Sequence, residues 1–308
     1  MTMAQSYYPL RVMTWNVENL FDTIHDEGFQ DEEFLPQAAR KWTKHRYWKK
    51  LTDLSRVIAA VSEDGGIPDL IGMCEVENDS VLTTLTKRSV LRNLGYSYVM
   101  TQCEDARGID VALLYQPSRF KLLEQRAVRV PSKAEGLRPT RDILYAKGLV
   151  LTNEGTDTLH VFVVHLPSRT GGHEGDQNRR LAAQTLWNVV DSVDKVKERT
   201  MKPAHILAMG DFNADHRDRI FRHAPLRLTD DPKCAGTYCF QGFWQWIDHI
   251  LVSESVETKG MAKPIQLPWL MEENKTYSVP MPRRTFRGPT CHGGVSDHLP
   301  VLLDISIK

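Results

Sequence analysis

The chain has 308 residues, 41% apolar and 25% charged, which is ordinary globular usage and excludes collagen-like, coiled-coil and disordered readings. Lys plus Arg and Asp plus Glu both number 39, so no whole-molecule field draws the protein onto a polyanion and any basic groove must be local. Five scattered cysteines, an odd count, argue against a disulfide framework. Cys234, Cys239 and Cys291 with His292 lack the paired Cys spacing of a zinc site, so the cysteines read as reduced packing residues.

Short apolar, β-branched runs recur at 10–15, 70–74, 111–115, 160–165, 205–209, 247–252 and 301–307, and read as buried strands. Helical periodicity is expected over 47–61, over 81–94 with Gly95 as a left-handed stop, and over 176–196, where Leu181, Leu186, Val189, Val190 and Val193 form a stripe. Strands at 97–101, 111–115 and 120–130 follow one another without a helix, so these pairs are expected to be antiparallel. Together they predict two mixed, mainly antiparallel sheets packed face to face with helices outside, an α/β sandwich. With no repeat and no linker separating halves, one domain over 1–308 is expected, its core from about residue 10. Residues 23–44 and 259–289 read as surface insertions, and 170–175 as a plain surface turn.

No run approaches the roughly 18 apolar residues of a membrane span. The start lacks a signal-peptide core, which fits a cytoplasmic protein, while Met3-Ala4-Gln5 matches the end of a cleavable signal and leaves an exported mature form open. Nothing implies a stable protein partner.

Polar residues gather where the apolar runs stop. Asn16, Glu75, His165, Asp211 and Asn213 follow strands; Asp110, Asp248, Asp297 and His298 precede or open them. Any one of these alone is an ordinary turn or cap residue. Antiparallel strands, however, bring starts and ends to one rim, and a rim of four or five carboxylates raises its own pKa values unless a cation is present. Oxygen donors with little His or Cys suit Mg²⁺ or Mn²⁺.

Trp15-Asn16-Val17-Glu18-Asn19-Leu20-Phe21-Asp22, Asp69 through Glu75-Val76-Glu77, Gly210-Asp211-Phe212-Asn213, Ile247-Asp248-His249 and Ser296-Asp297-His298-Leu299-Pro300 resemble, in order, the endonuclease/exonuclease/phosphatase superfamily. The resemblance implies a four-layered α/β sandwich and metal-dependent phosphoester hydrolysis. It implies Glu75 as metal-binding glutamate, with Asn16 and Asp297 as further metal ligands or their supports. Asp211 corresponds to the base for the attacking water, and Asn213 to an amide holding phosphate and water. His298 paired with Asp248 corresponds to the charge stabiliser, and His165 to a leaving-group histidine. Arg107 and Asp110 fall at phosphate-contacting or orienting positions.

The substrate class is open at this point. Lys41-Trp42, Arg46-Tyr47-Trp48-Lys49-Lys50 and Arg283-Arg284-Thr285-Phe286-Arg287 combine bases with aromatics, as nucleic-acid contacts do, although a solvated face is the commoner use of such runs. Glu77 is an acid where DNA-cutting relatives often carry a base, and Glu18 replaces an Asp seen in some relatives. A nuclease or other phosphodiesterase is the expectation. The alternative is a hydrolase of small or lipid-linked phosphoesters; an inactive binding module is disfavoured because Asp211, Asn213 and His298 are all retained.

Overall fold

The structure is a computed structural model that describes residues 9–62, 66–195 and 203–307; Met3-Ala4-Gln5 and the end of the 176–196 helix lie outside them. The first half runs β1 (Leu10–Leu20), α1 (Lys44–Ala60), β2 (Leu70–Val76), α2 (Asp79–Thr83), β3 (Ser97–Met100), β4 (Asp110–Tyr115), β5 (Lys121–Val128), β6 (Ile143–Thr152) and β7 (Gly155–His165). Next come α3 (Gly172–Asp194), β8 (His205–Asp211), β9 (Arg227–Leu228), β10 (Tyr238–Phe240), β11 (Phe243–Gln245), β12 (Asp248–Val252) and β13 (Val256–Pro264). The chain closes through β14 (Met271–Asn274), β15 (Val279–Pro282), β16 (Phe286–Arg287), β17 (Thr290–Cys291) and β18 (Val301–Ile307).

Two six-stranded sheets carry the fold, in the orders β13-β18-β1-β2-β4-β3 and β5-β6-β7-β8-β12-β9. Each is antiparallel apart from one parallel pair, β1 with β2 and β7 with β8. A parallel pair needs a crossover long enough to return the chain to the same end, and α1 and α3 are those crossovers. Alternation along the strands explains the layers. Val12, Leu70, Val111, Val161, Val163, Leu207 and Met209 meet between the sheets. On the outer face of the first sheet Met13, Trp15, Ile71 and Leu114 pack with Leu51, Leu54 and Ile58 of α1. Phe162, Val164, Ile206 and Ala208 face outward from the second sheet onto Leu186, Trp187 and Val190 of α3. Helix, sheet, sheet, helix is the four-layered sandwich.

Four sequence expectations change. The 81–94 helix is broken: α2 gives way to a wide π turn at Thr84–Arg88 and a 3-10 turn at Val90–Leu94. The hydroxyls of Thr86 and Ser89 bond back to the carbonyls of Leu82 and Leu85, competing with the helical ladder, and Ser89 turns extended to cap Leu91. Gly95 is left-handed, as its stop position requires. Strands β4 and β5 do not pair, because the Gln116 carbonyl takes the N–H groups of Arg119 and Phe120 and swings the chain into the other sheet; β3 and β4 are antiparallel as expected. Lys259 to Pro264 belong to edge strand β13 and not to an insertion. Residues 172–175 open α3, after a 3-10 turn at Arg169–Gly171.

Other apparent surface features are internal. Trp42 is buried and its indole N–H donates to the Phe21 carbonyl, while Phe34 stacks on Phe21. Tyr47 and Lys50 of α1 are also buried, so these aromatics and this base hold the first layer and form no nucleic-acid face. All five cysteines are free, with Cys74, Cys103 and Cys239 buried.

Glu77, just past β2, fixes the return loop by accepting the Asp22 N–H at 2.6 Å. Burial, with Asp22, Asp26 and Asp31 adding repulsion, raises its pKa from 4.5 to about 9. The folded state therefore binds more protons than the unfolded one between these values, and this contribution to stability is full at low pH and lost as pH rises through the window. Glu77→Gln keeps the acceptor without the titration. Thermal unfolding of the two proteins should show the variant gaining on wild type between pH 5 and pH 8, by at least about 1 kcal/mol; parallel pH profiles contradict this.

Candidate active site

Both parallel pairs end at the same rim, and the register brings the polar residues together. His165 closes β7 opposite Asp211 at the end of β8, and Asp248 opens β12 opposite Asp211 on its other side. Asn16 lies beside Cys74 across the β1–β2 pair, next to Glu75. The close β7–β8 approach needs Gly210: a Cβ there would lie 1.9 Å from the Val164 carbonyl oxygen. Glu18, Asn19, Glu75 and Asn213 all have left-handed backbone, a strain on the order of 1 kcal/mol each that collects where side chains must leave the regular pleat.

The rim encloses a cavity of about 530 Å³, lined by Asn16, Glu18, Glu75, Arg107, Arg141, His165, Arg169, Asp211, Asn213, Tyr238, Phe240, Gln245, Asp297 and His298. Asp211 is at its floor, with Nδ2 of Asn16 donating to Oδ2 at 3.0 Å and the Asn213 N–H to Oδ1 at 2.8 Å. Burial, then the nearby Asp248 carboxylate, raise the Asp211 pKa to about 7. His298 Nδ1 lies 2.8 Å from Asp248 Oδ2, which also accepts the Thr237 hydroxyl at 2.5 Å. Burial opposes charge on His298, but Asp248, with Asp211 and Asp297, outweighs it and holds the imidazole well above 6.5. This assigns Nδ1–H to Asp248 and turns Nε2–H toward Asp211, 3.9 Å from its Oδ2. Tyr238 packs on the His298 ring at 4.9 Å.

His165 is the opposite case. Burial, reinforced by Arg141, lowers its pKa well below 6.5, so it is neutral. Its Nε2 lies 3.6 Å from Asp211 and 3.9 Å from Glu75, and its buried Nδ1 has no hydrogen-bond partner.

Glu75 and Asp297 form the acidic wall. Glu75 Oε2 accepts the Asn19 N–H at 2.8 Å, and its Oε1 is 3.4 Å from Asn16 Nδ2. Asp297 Oδ2 accepts Arg284 Nη2 at 2.8 Å. These oxygens, with that of Asp211, are hard donors lining one open space, of the kind Mg²⁺ or Mn²⁺ prefers, but they do not come together as a metal-sized cluster; among the described residues Asp211, Asp248 and His298 do. Asp248, however, stands behind the cavity wall, where its Oδ2 serves His298 and Thr237 and its Oδ1 has no hydrogen-bond partner. That trio is better described as a charged His–Asp pair facing a carboxylate. No cysteine joins a metal-sized cluster among the described residues.

A model of the Endonuclease/Exonuclease/phosphatase family matches residues 11–307. The chain belongs to this family. Among solved structures it is similar to the human Nocturnin catalytic domain with bound sulfate, at 19% identity and TM-score 0.58, covering 97% of this chain and 95% of that one. A mannosyl-6-phosphatase from Bacteroides thetaiotaomicron gives 18% identity and TM-score 0.60 over 97% and 100%. TDP2 of D. rerio, humanized by 14 mutations, gives 16% and 0.56 over 97% and 99%. No curated protein matches the chain. Family membership makes it a hydrolase acting on phosphoesters, of a kind that generally uses divalent metals.

Of the family positions expected from sequence, Asn16, Glu75, Arg107, His165, Asp211, Asn213, Asp297 and His298 line one cavity, with Asp248 directly behind. One differs from expectation. Asp110 lies outside that cavity: its carboxylate accepts the Thr101 hydroxyl and the Cys103 N–H at 2.5 and 3.1 Å, tying down the 101–110 loop. Asn16, expected as a metal ligand or its support, points Nδ2 at the two carboxylates and turns Oδ1 to the Glu18 N–H at 3.0 Å. Arg141, Arg169, Tyr238, Phe240 and Gln245 were not foreseen, and Arg284, expected only as part of a basic and aromatic run, bonds Asp297 at the rim. They come from loops and a hairpin whose sequence carries no periodic signal, and only the aromatic spacing in Tyr238-Cys239-Phe240 hinted at a wall.

The charge on His298 can be read directly. In ¹⁵N NMR of the imidazoles, His298 should stay protonated well above pH 6.5 and lose that charge in Asp248→Asn, where burial then dominates. A His298 signal unchanged by Asp248→Asn contradicts the pairing.

Proposed function

We propose that the protein is a divalent-metal-dependent phosphodiesterase, a nuclease in preference to a phosphomonoesterase. The observation carrying this reading is the confrontation of Asp211 with the His298–Asp248 pair across a cavity whose third side is the Glu75–Asp297 wall. Glu75 and Asp297 would hold the ion, and what a bound divalent cation supplies there is neutralisation of phosphate charge. Asp211, kept buried and oriented by Asn16 and the Asn213 N–H, takes the proton of a water attacking phosphorus in line with the departing oxygen. His298, charged and fixed by Asp248, donates from Nε2 to a phosphate oxygen as negative charge accumulates. His165 faces the bond that breaks. Asn213 donates its side-chain N–H to the Leu166 carbonyl at 2.8 Å, so it serves first to fix the loop after β7 and presents the remainder of its amide to the cavity.

A diester is favoured by a lining that combines cations with aromatics. Arg107, Arg141 and Arg169 line the cavity together with Tyr238 and half-exposed Phe240, and Arg169 reaches Gln245, the strand partner of Tyr238, at 3.3 Å. A substrate that continues beyond the phosphate as an anion and offers a planar group uses both, since aromatic faces accept any base. A TDP2 neighbour is described with a single-strand DNA product. The second reading, a phosphatase of small phosphoesters, draws on the zero net charge and the burial of Trp42, Tyr47 and Lys50.

Metal-stripped protein resupplied with Mg²⁺ or Mn²⁺ should hydrolyse plasmid DNA, RNA or a chromogenic phosphodiester faster than a sugar phosphate. Asp211→Asn and His298→Ala should each lower turnover on the order of 10²–10³-fold with the thermal transition retained. Turnover of monoesters alone selects the second reading, and a variant keeping more than about a tenth of the activity removes its residue from the mechanism.

A further inference from the structure

We propose that the β10–β11 hairpin is a stacking platform for unpaired bases, so that the protein takes single-stranded nucleic acid in preference to duplex; this rests on the phosphodiesterase reading of the cavity and names the form of its substrate.

The hairpin is rooted in the His298–Asp248 pair. Thr237, just before β10, donates its hydroxyl to Asp248 at 2.5 Å and its N–H to the Gln245 carbonyl at 2.9 Å, and Tyr238 forms an antiparallel bridge with His298, on whose ring it packs. From that root the two strands run outward in register, Tyr238 opposite Gln245, Cys239 opposite Trp244 and Phe240 opposite Phe243. Residues directly opposite one another share a face, as do residues two apart along a strand. Tyr238, Phe240, Phe243 and Gln245 therefore form one face, and Cys239 and Trp244 the other. The second face is packed: Cys239 is buried, and Trp244 lies against the apolar layer between the first sheet and α1. The first face is open. Tyr238, Phe240 and Gln245 line the cavity, and exposure rises outward from partly buried Tyr238 to 50% for Phe240 and 74% for Phe243.

The row is preset. Gln241 and Gly242 both have left-handed backbone, with φ of 49° and 82°, as the two-residue turn that matches strand twist requires. A Cβ at Gly242 would lie 2.8 Å from Tyr277 Cβ, so the tip also rests on the β14–β15 turn. A fixed row of aromatic faces that starts at His298, with the Arg169 guanidinium bonded to Gln245 on the same face at 3.3 Å, matches a chain that alternates planar rings with anions. Only an unpaired strand offers those rings face-on. In a duplex each base is covered by its neighbours and shows only its edges in the grooves, and freeing a face there requires unstacking the base. A lipid surface fits less well, because the exposed tip is Gln241-Gly242 and the aromatics stand along the path into the cavity.

The test is binding, read without cleavage in EDTA at fixed salt as the anisotropy of a dye-labelled strand mixed with the full-length protein. The probes are a short oligothymidylate, its duplex with oligodeoxyadenylate, and an abasic strand of equal length that keeps the phosphates and lacks the bases. The oligothymidylate should bind about tenfold or more tighter than either, the value of one base–aromatic stack. Phe243→Ala should lose that margin and Phe243→Trp should keep it, with the abasic strand not distinguishing the three proteins. Phe243 is exposed, so circular dichroism melts of the variants should coincide with wild type. Equal affinity for the duplex or the abasic strand, or a margin that survives Phe243→Ala, overturns the platform. Phe243-dependent binding to phosphatidylcholine vesicles without binding of any strand also overturns it and assigns the hairpin to a lipid surface. A protein that cleaves diesters but binds independently of Phe243 loses only the platform; one that binds the single strand through Phe243 yet cleaves no diester loses only the phosphodiesterase reading.

Discussion

A carboxylate buried at the end of a central strand is tolerable only if its surroundings supply compensating charge and donors, and Asp211 is such a carboxylate. It is fully buried, in register with His165 on one side and Asp248 on the other. Much of the rim answers to it. Asn16 and the Asn213 amide donate to it, and His298 faces it with a charge that Asp248 maintains. Removing its partners one at a time leaves an uncompensated ion in a low-dielectric floor, which costs far more than an exposed pair contributes.

The fold serves that constraint through two parallel strand pairs. Each pair forces a helical crossover, and the crossovers put α1 and α3 on opposite outer faces while the carboxyl ends of β1, β2, β7 and β8 meet at one edge. The interior between the sheets is apolar and closely packed, so the polar residues have nowhere to go except that rim. The two histidines show how finely position sets chemistry there. His165 and His298 are both buried within reach of Asp211, yet one is held neutral beside Arg141 and the other charged beside Asp248.

The sandwich and most of the rim were legible in the sequence because both rest on local regularities. Runs such as Ile206-Leu207-Ala208-Met209 alternate between two apolar layers, and Asp211 and Asn213 stand just beyond. What was not legible depends on contacts distant in sequence. The Gln116 turn that sends β5 to the other sheet, the Ser89 hydroxyl that ends the broken helix, and the burial of Lys50 beneath the 283–296 segment have no signature in their own neighbourhoods. Asp110 has the right spacing for the site, yet its carboxylate is consumed by its own loop. Arg284 sits in a charged stretch that resembles a solvated loop until Glu18, 266 positions earlier in the chain, is seen to grip the next two amides.

On the proposed function, a divalent cation binds at the Glu75–Asp297 side of the rim and not at the His298–Asp248 pair. Anomalous diffraction from crystals soaked in Mn²⁺ locates the ion directly. The expected peak lies about 2.0–2.3 Å from a Glu75 carboxylate oxygen, with His298 still bonded to Asp248. A peak coordinated by His298 together with Asp211 and Asp248 would contradict it.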